Sequence, residues 1–160
     1  MPLTVTLEPP RQSEVDALLT LSSEFAAALY PPESNFLLSV DELEAPGVLF
    51  FVARTAAGAA VGTAAVVPLH QGERVPTAEL KRMFVHPDAR GEGVAGRLLD
   101  AAESAALAGG IRRMVLETGP LHVAALAFYR AHGYSEIPLF GQYVGEEFSV
   151  CFGKDLVAKR

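Results

Sequence analysis

The chain has 160 residues and a formal net charge of −6, with half of its residues hydrophobic and a fifth charged. This length predicts one domain, residues 1–160, with enough apolar side chains to bury a core. The acidic balance argues against nucleic acid as a partner, because neutralising phosphates requires clustered lysine and arginine. The single cysteine, Cys151, excludes an internal disulfide framework. Without a secretory leader or an apolar run near about 18 residues, we expect a cytoplasmic protein with no membrane association.

The periodicity of apolar residues divides the chain into short strands and helices. In chain order, the sequence predicts a strand at 3–9, a helix at 13–29 with Ser13 as its N-cap, an irregular stretch at 33–47, three strands at 48–55, 59–70 and 77–85, a helix at 94–108, a strand at 112–118, a helix at 122–132, and two strands at 134–137 and 146–156. Within the irregular stretch, residues 39–47 are compatible with a short helix or a loop. This order is typical of an α+β protein with a mixed sheet.

Three glycines between a predicted strand and a predicted helix have the G-x-G-x-x-G spacing, namely Gly91, Gly93 and Gly96. This spacing occurs in the dinucleotide-binding loops of nicotinamide and flavin enzymes. Glu117, at the end of the next strand, even lies where such enzymes bind a ribose. Five residues separate the strand from the first glycine, however, and only one strand-helix-strand crossover follows. A nicotinamide enzyme is therefore one alternative, and a structural strand-to-helix turn is another.

Residues 79–106, ELKRMFVHPDARGEGVAGRLLDAAESAA, resemble motif A of the GNAT superfamily of N-acetyltransferases. The motif core, R-G-x-G-[V/I]-[A/G], is met by Arg90, Gly91, Gly93, Val94 and Ala95. Residues 125–134, ALAFYRAHGY, resemble the later A-x-x-x-Y-x-x-x-G-[F/Y] segment of the same family, with Tyr129, Gly133 and Tyr134 in place. The end of the chain is similar to that of a bacterial subgroup of small GNAT enzymes. Two motifs at compatible spacing identify the chain as a member of this superfamily.

The resemblance implies the GNAT fold, a central, mostly antiparallel and splayed sheet of six to seven strands flanked by about four helices. It also implies acetyl-CoA as the co-substrate, bound without a metal. A pyrophosphate needs converging N–H donors and positive potential, both of which a helix N-terminus supplies. The residues implied to bind acetyl-CoA are Met83, Phe84, Val85, Arg90, Gly91, Gly93, Val94, Ala95, Gly96 and His122. Arg97 is a second candidate for phosphate charge, and His122 replaces the asparagine of many relatives.

Two side chains are implied to be catalytic. Tyr129 matches the general acid of the family, and a phenol with an ordinary pKa near 10 is protonated at neutral pH. Glu79 stands where one branch of the family carries its general base, while Glu117, His122 and water are the alternatives. Cys151 lies in an apolar strand and is expected in the core, so we expect direct transfer in a ternary complex.

The acceptor site is expected to form from residues 25–43 and 138–147. In the second segment, Phe140 and Tyr143 are predicted to form apolar walls and Glu146 and Glu147 an acidic rim. We expect an amine acceptor on a small molecule, or alternatively on a peptide, and the apolar final strands leave a homodimer possible. The remaining alternative is a module of the same fold that senses acyl-CoA without turnover.

Overall fold

The computed structural model describes residues 2–70 and 73–157. Within them, the strands are β1 (Leu3–Leu7), β2 (Leu49–Thr55), β3 (Ala60–Leu69), β4 (Thr77–Val85), β5 (Arg113–Thr118), β6 (Ser135–Ile137) and β7 (Val150–Asp155). The helices are α1 (Ser13–Leu29), α2 (Val40–Leu43), α3 (Val94–Ala108) and α4 (Val123–Ala131). Single 3₁₀ turns cover Pro32–Ser34, Pro87–Ala89 and Gly141–Tyr143. None of the helices in these residues is both long and apolar enough to cross a bilayer.

The seven strands form one sheet in the order β1-β2-β3-β4-β5-β7-β6. Neighbouring strands are antiparallel except β4 and β5, which are parallel and joined through α3. The mixed, mostly antiparallel sheet and its flanking helices confirm the predicted fold class. A doubly wound dinucleotide domain needs several parallel strands, and one parallel pair among the described residues does not supply them.

Alternation along the strands sends successive side chains to the two faces of the sheet. Phe51 and Val66 pack with Leu98 of α3 and with Tyr129 of α4 in the larger core. On the other face lies a smaller core that α1 and α2 cover, and its buried members are Val15, Leu19, Leu43, Phe50, Val52 and Ala65. The two faces of the sheet therefore carry different helices, with α1 on one side and α3 on the other.

The N-cap of α1 differs from the prediction, and α2 begins inside the stretch predicted irregular. Ser13 is the first residue of α1, and Gln12 occupies the cap position without a side-chain cap bond, so Ser13 as N-cap was wrong. The Gln12 side chain instead donates to Glu8 and to the Pro9 carbonyl. In the stretch predicted irregular, Ser39 and Glu42 form a reciprocal capping box that starts α2. The S-x-x-E pattern is the sequence signal for this short helix.

Two irregularities open the sheet in the middle of β4. The register against β3 passes from Ala65–Lys81 to Thr63–Phe84, so an extra residue is inserted in β4. Arg82 lies at this bulge with φ +54°, the left-handed region that non-glycine residues rarely adopt. On its other side, β4 pairs with β5 only from Thr77 to Glu79. Beyond that point the two strands diverge, as the resemblance implied, and leave a slot between them.

Candidate active site

A cavity of about 950 Å³ occupies the slot between the diverging strands. Its lining comes from the end of α1, residues 34–37, the second half of β4, the glycine loop with the first turn of α3, residues 117–125, and the inner face of α4. Of the predicted site residues, every one implied to bind acetyl-CoA lies in this lining, together with Tyr129. Glu79 does not.

The glycine loop faces open space at one end of the cavity. Gly91 and Gly93 have φ of +81° and +79°, which only glycine adopts without strain. A Cβ built on either of them would meet no atom within 4 Å. Within α3, the Arg97 N–H already donates to the Gly93 carbonyl at 3.1 Å. The N–H groups of the turn before it have no intrahelical acceptor, which is the arrangement that binds an anion at a helix N-terminus.

The two arginines beside this loop have different roles. Arg90 donates from Nε to the Val85 carbonyl at 3.2 Å, and its guanidinium carbon lies 5.3 Å from the centre of the Phe25 ring. These contacts hold a positive charge at the mouth of the cavity. Arg97 was wrongly expected to add charge there, since it donates to the Leu3 carbonyl at 3.0 Å and lies outside the cavity lining. This hydrogen bond links α3 to β1.

His122 lies beside two aromatic rings in the cavity lining. The ring centres of Phe25 and Tyr30 lie 5.3 and 5.4 Å from that of the imidazole. Its Nε2 is buried and has no hydrogen-bond partner among the described residues. Burial lowers the pKa of this histidine, which keeps it neutral at physiological pH. A buried polar atom without a partner costs free energy, so this nitrogen is suited to a polar group of a ligand.

Tyr129 is buried on α4, with its side chain in the lining of the same cavity. Burial in apolar surroundings raises the pKa of its phenol, because the phenolate would be poorly solvated there. The hydroxyl is therefore protonated at neutral pH, as a proton donor must be.

The two candidate carboxylates lie in different surroundings. Glu117 lines the cavity, accepts a hydrogen bond of 2.7 Å from the Ser149 hydroxyl, and has a pKa raised by burial. Glu79 is buried outside the lining, where the Tyr143 hydroxyl donates to its Oε2 at 2.5 Å and Lys81 Nζ lies 3.6 Å away. Of these two carboxylates, Glu117 is thus the one that lines the cavity, whereas Glu79 is hydrogen-bonded outside it.

Comparison with known proteins matches residues 15–134 to the acetyltransferase (GNAT) family. The chain belongs to the GNAT family of acetyltransferases. It is 36% identical over 154 residues to an IAA acetyltransferase from Azospirillum brasilense, which covers 96% of this chain and 98% of that one.

Solved structures agree with this membership. A Klebsiella pneumoniae protein assigned as an acyl-CoA N-acyltransferase is 28% identical, with a TM-score of 0.79, over 97% of this chain and 98% of that one. A GNAT acetyltransferase from Elizabethkingia anophelis with acetyl-CoA bound has the same fold at 15% identity and a TM-score of 0.67, over 96% and 98% of the two chains. Family and fold together make this chain an N-acetyltransferase, as the sequence predicted.

The segments predicted to form the acceptor site line the cavity only in part. The end of α1 and residues 34–37 line it as expected, but Phe140, Glu146 and Glu147 do not reach the cavity. Tyr143 is fully buried and its hydroxyl accepts a hydrogen bond from Lys81, so it positions a cavity residue and does not itself line the cavity. Phe148, one residue beyond the predicted segment, supplies the aromatic wall instead.

Tyr30 lies within the segment 25–43 predicted for the acceptor site, but the sequence did not single it out as a site residue. Its hydroxyl accepts a hydrogen bond of 2.7 Å from the Leu121 N–H, which fixes the loop before His122. A Cβ at Gly119 would lie 2.0 Å from that hydroxyl, so only glycine fits there. Tyr30 directly follows the predicted helix 13–29, and no local pattern in the sequence signals a contact across 91 residues.

Replacing Tyr143 by phenylalanine should destabilise the protein by about 1–3 kcal/mol, because buried Glu79 and Lys81 both lose a hydrogen-bond partner. Urea denaturation followed by circular dichroism measures the effect. Val144→Ala, at an exposed position in the same loop, is the control and should change stability by less than about 0.5 kcal/mol. Equal effects of the two substitutions would contradict a supporting role for the hydroxyl.

Proposed function

We propose that this acetyltransferase binds acetyl-CoA in the slot between β4 and β5 and transfers the acetyl group directly to the amine of a small molecule. The observation that carries the proposal is one continuous cavity that joins the open glycine loop to Tyr129 and Glu117. The Azospirillum relative, an IAA acetyltransferase, supports a small molecule over a peptide as the acceptor.

The residues along the slot suit the successive parts of acetyl-CoA. The free N–H groups of α3 and the Arg90 guanidinium suit the pyrophosphate. Past Glu79, β4 has no ladder partner towards β5, so the backbone of Met83, Phe84 and Val85 can pair with the amides of the pantetheine arm as another strand would. The unpartnered Nε2 of His122 suits a polar group of the same arm.

Acetyl-CoA supplies a thioester whose carbonyl carbon forms a bond to the amine nitrogen while its bond to sulfur breaks. Glu117 then takes the proton that the amine nitrogen loses, and its raised pKa makes it a better base than an ordinary carboxylate. Tyr129 gives its phenolic proton to the leaving sulfur, and the proton that Glu117 took from the amine is lost to solvent while the phenol regains one, so that both groups return to their starting states. Direct transfer is supported by Cys151, which is buried outside the cavity lining and whose pKa burial raises to about 11, so its thiol is not a nucleophile at neutral pH.

We also propose that residues 1–160 form one domain, since strands from both ends of the chain lie in one sheet. The cytoplasmic location, the possible homodimer and the expected lack of nucleic-acid and membrane partners stay predictions.

Calorimetric titration of the purified protein with acetyl-CoA, CoA and NADH tests the cofactor. We expect micromolar binding of acetyl-CoA and none of NADH. Arg90→Glu should weaken acetyl-CoA binding by about tenfold or more, because it reverses a charge next to the phosphates. Arg112→Glu, at an exposed position outside the cavity, is the matched control.

Release of free CoA thiol in the presence of candidate amines then tests turnover. Lack of acetyl-CoA binding would overturn the proposal. Binding without thiol release from any amine would favour the acyl-CoA sensor instead.

A further inference from the structure

The bulge in β4 places two cations on the same face of the sheet. In a regular strand, consecutive side chains point to opposite faces. Lys81 Nζ nevertheless donates to the Phe36 carbonyl at 2.8 Å, and Arg82 Nε donates to the Leu38 carbonyl at 3.1 Å, so both reach the segment that follows α1. The left-handed conformation of Arg82 produces this arrangement and is the one positive φ among the described non-glycine residues. Strained backbone of this kind is characteristic of functional sites.

The two cations differ in how their charges are balanced. Lys81 lies 3.6 Å from Glu79 and shares Tyr143 with it, so its charge is paired. The guanidinium of Arg82 contacts only neutral groups, namely the Leu38 carbonyl and, at 3.4 Å, the hydroxyls of Ser22 and Ser23. Of the described carboxylates, none lies within ion-pair distance of it. Burial without a counter-charge lowers the pKa of this guanidinium, which is the sign of an uncompensated cation.

Arg82 belongs to the acceptor end of the cavity. It lies three residues before Val85, about 10 Å along an extended strand and away from the glycine loop. Ser22, Phe36 and Leu37 line the cavity beside it. Its other side faces a shallow groove of about 420 Å³ that includes Asp16 and Glu24, both beyond ion-pair distance. An anionic group that enters the cavity from the acceptor side would therefore meet an unpaired guanidinium.

We propose that the acceptor is an amino-carboxylate, such as an amino acid, whose carboxylate binds Arg82 while its amine lies towards Glu117. This inference rests on the proposed function and specifies its substrate class. A guanidinium is the preferred partner of a carboxylate because it presents its N–H donors in a planar fork. The Ser22 hydroxyl accepts a hydrogen bond from Arg82 and can itself donate to a ligand at the same place. At this end of the cavity, away from Arg90, the Arg82 guanidinium and the Glu117 carboxylate then match the two charges of a zwitterion.

Matched pairs of acceptors test the inference in the wild-type protein. The pairs are L-phenylalanine with phenethylamine, L-leucine with isoamylamine, and L-methionine with 3-(methylthio)propylamine. Thiol release at saturating acetyl-CoA gives kcat/KM for each compound. For any pair that is turned over, we expect the carboxylate-bearing member to be preferred by about 10- to 100-fold, the range for a hydrogen bond to a charged group.

Arg82→Gln should remove this preference, chiefly by raising KM for the amino acid, and leave kcat/KM for the simple amine and the Kd for acetyl-CoA nearly unchanged. Arg112→Gln is the matched control, and thermal melting checks that both variants fold. If Arg82→Gln does not fold, the wild-type pairs still decide the question.

Two results in the wild type would overturn the inference: a kcat/KM for the simple amines equal to or higher than that for the amino acids, or acetyl-CoA binding with no pair turned over. Two results in Arg82→Gln would also overturn it: an equal loss of kcat/KM for both members of a pair, or weaker acetyl-CoA binding. Lack of acetyl-CoA binding in the wild type would instead overturn the proposed function from which the inference starts.

Discussion

Tyr129→Phe is expected to lower kcat by about 100-fold or more, the usual contribution of a positioned proton donor, and to leave the Kd for acetyl-CoA nearly unchanged. The substitution removes only the hydroxyl, and the ring keeps its packing against Phe128 and Tyr134. Because burial keeps the phenol protonated, the loss should be the same at every pH at which the enzyme is active. Steady-state thiol release gives kcat, and calorimetry gives Kd.

Tyr134→Phe is the control for this experiment. Tyr134 is also a buried tyrosine, next to Tyr129, but its hydroxyl donates to Glu103 at 2.7 Å. The substitution Tyr134→Phe should therefore lower the free energy of unfolding by about 1 kcal/mol and leave kcat nearly unchanged. An unchanged kcat in Tyr129→Phe would exclude the hydroxyl as the proton donor and leave water in that role.

Glu117→Gln is expected to lower kcat/KM by about 100-fold at neutral pH and to remove one limb of the pH profile. The carboxylate accepts a proton only when ionised, and burial raises its pKa. In the wild type, kcat/KM should therefore rise as the pH rises through that raised pKa, and the glutamine variant should lack this rise. For an alkyl amine, deprotonation of the substrate adds a separate rise in kcat/KM at a pH of about 10, and both proteins should show this second rise.

Glu79→Gln distinguishes the two carboxylates. Glu79 accepts a hydrogen bond from Tyr143 and lies outside the cavity. We therefore expect Glu79→Gln to lose stability and to keep the rise of kcat/KM that occurs at the lower pH. Urea denaturation and the pH dependence of kcat/KM measure the two effects. If Glu79→Gln loses the limb and Glu117→Gln keeps it, Glu79 is the base, as the family resemblance implied.

The parts of this protein that depend on neighbours in sequence could be predicted from the sequence. Apolar periodicity located the seven strands and the three longer helices, because it records which side of an element is buried. The glycine loop was also predictable, since the positive φ of Gly91 and Gly93 is a property of glycine itself. The alternative of a dinucleotide loop could be rejected only when the sheet was seen to contain one parallel pair.

The charged residues of the site required the tertiary structure, because the environment of a charge is set by residues far away in the chain. Glu79 was the implied base and Glu117 an alternative to it, and the sequence did not show that Tyr143, 64 residues from Glu79, donates to Glu79. Arg97 was a candidate phosphate ligand until its contact with Leu3, 94 residues away, was known. Local sequence patterns were thus enough to predict the strands, the longer helices, the glycine loop and the family. The side chains that face the cavity and the charges that remain unpaired could be identified only from the folded chain, since burial and pairing arise when distant segments pack together.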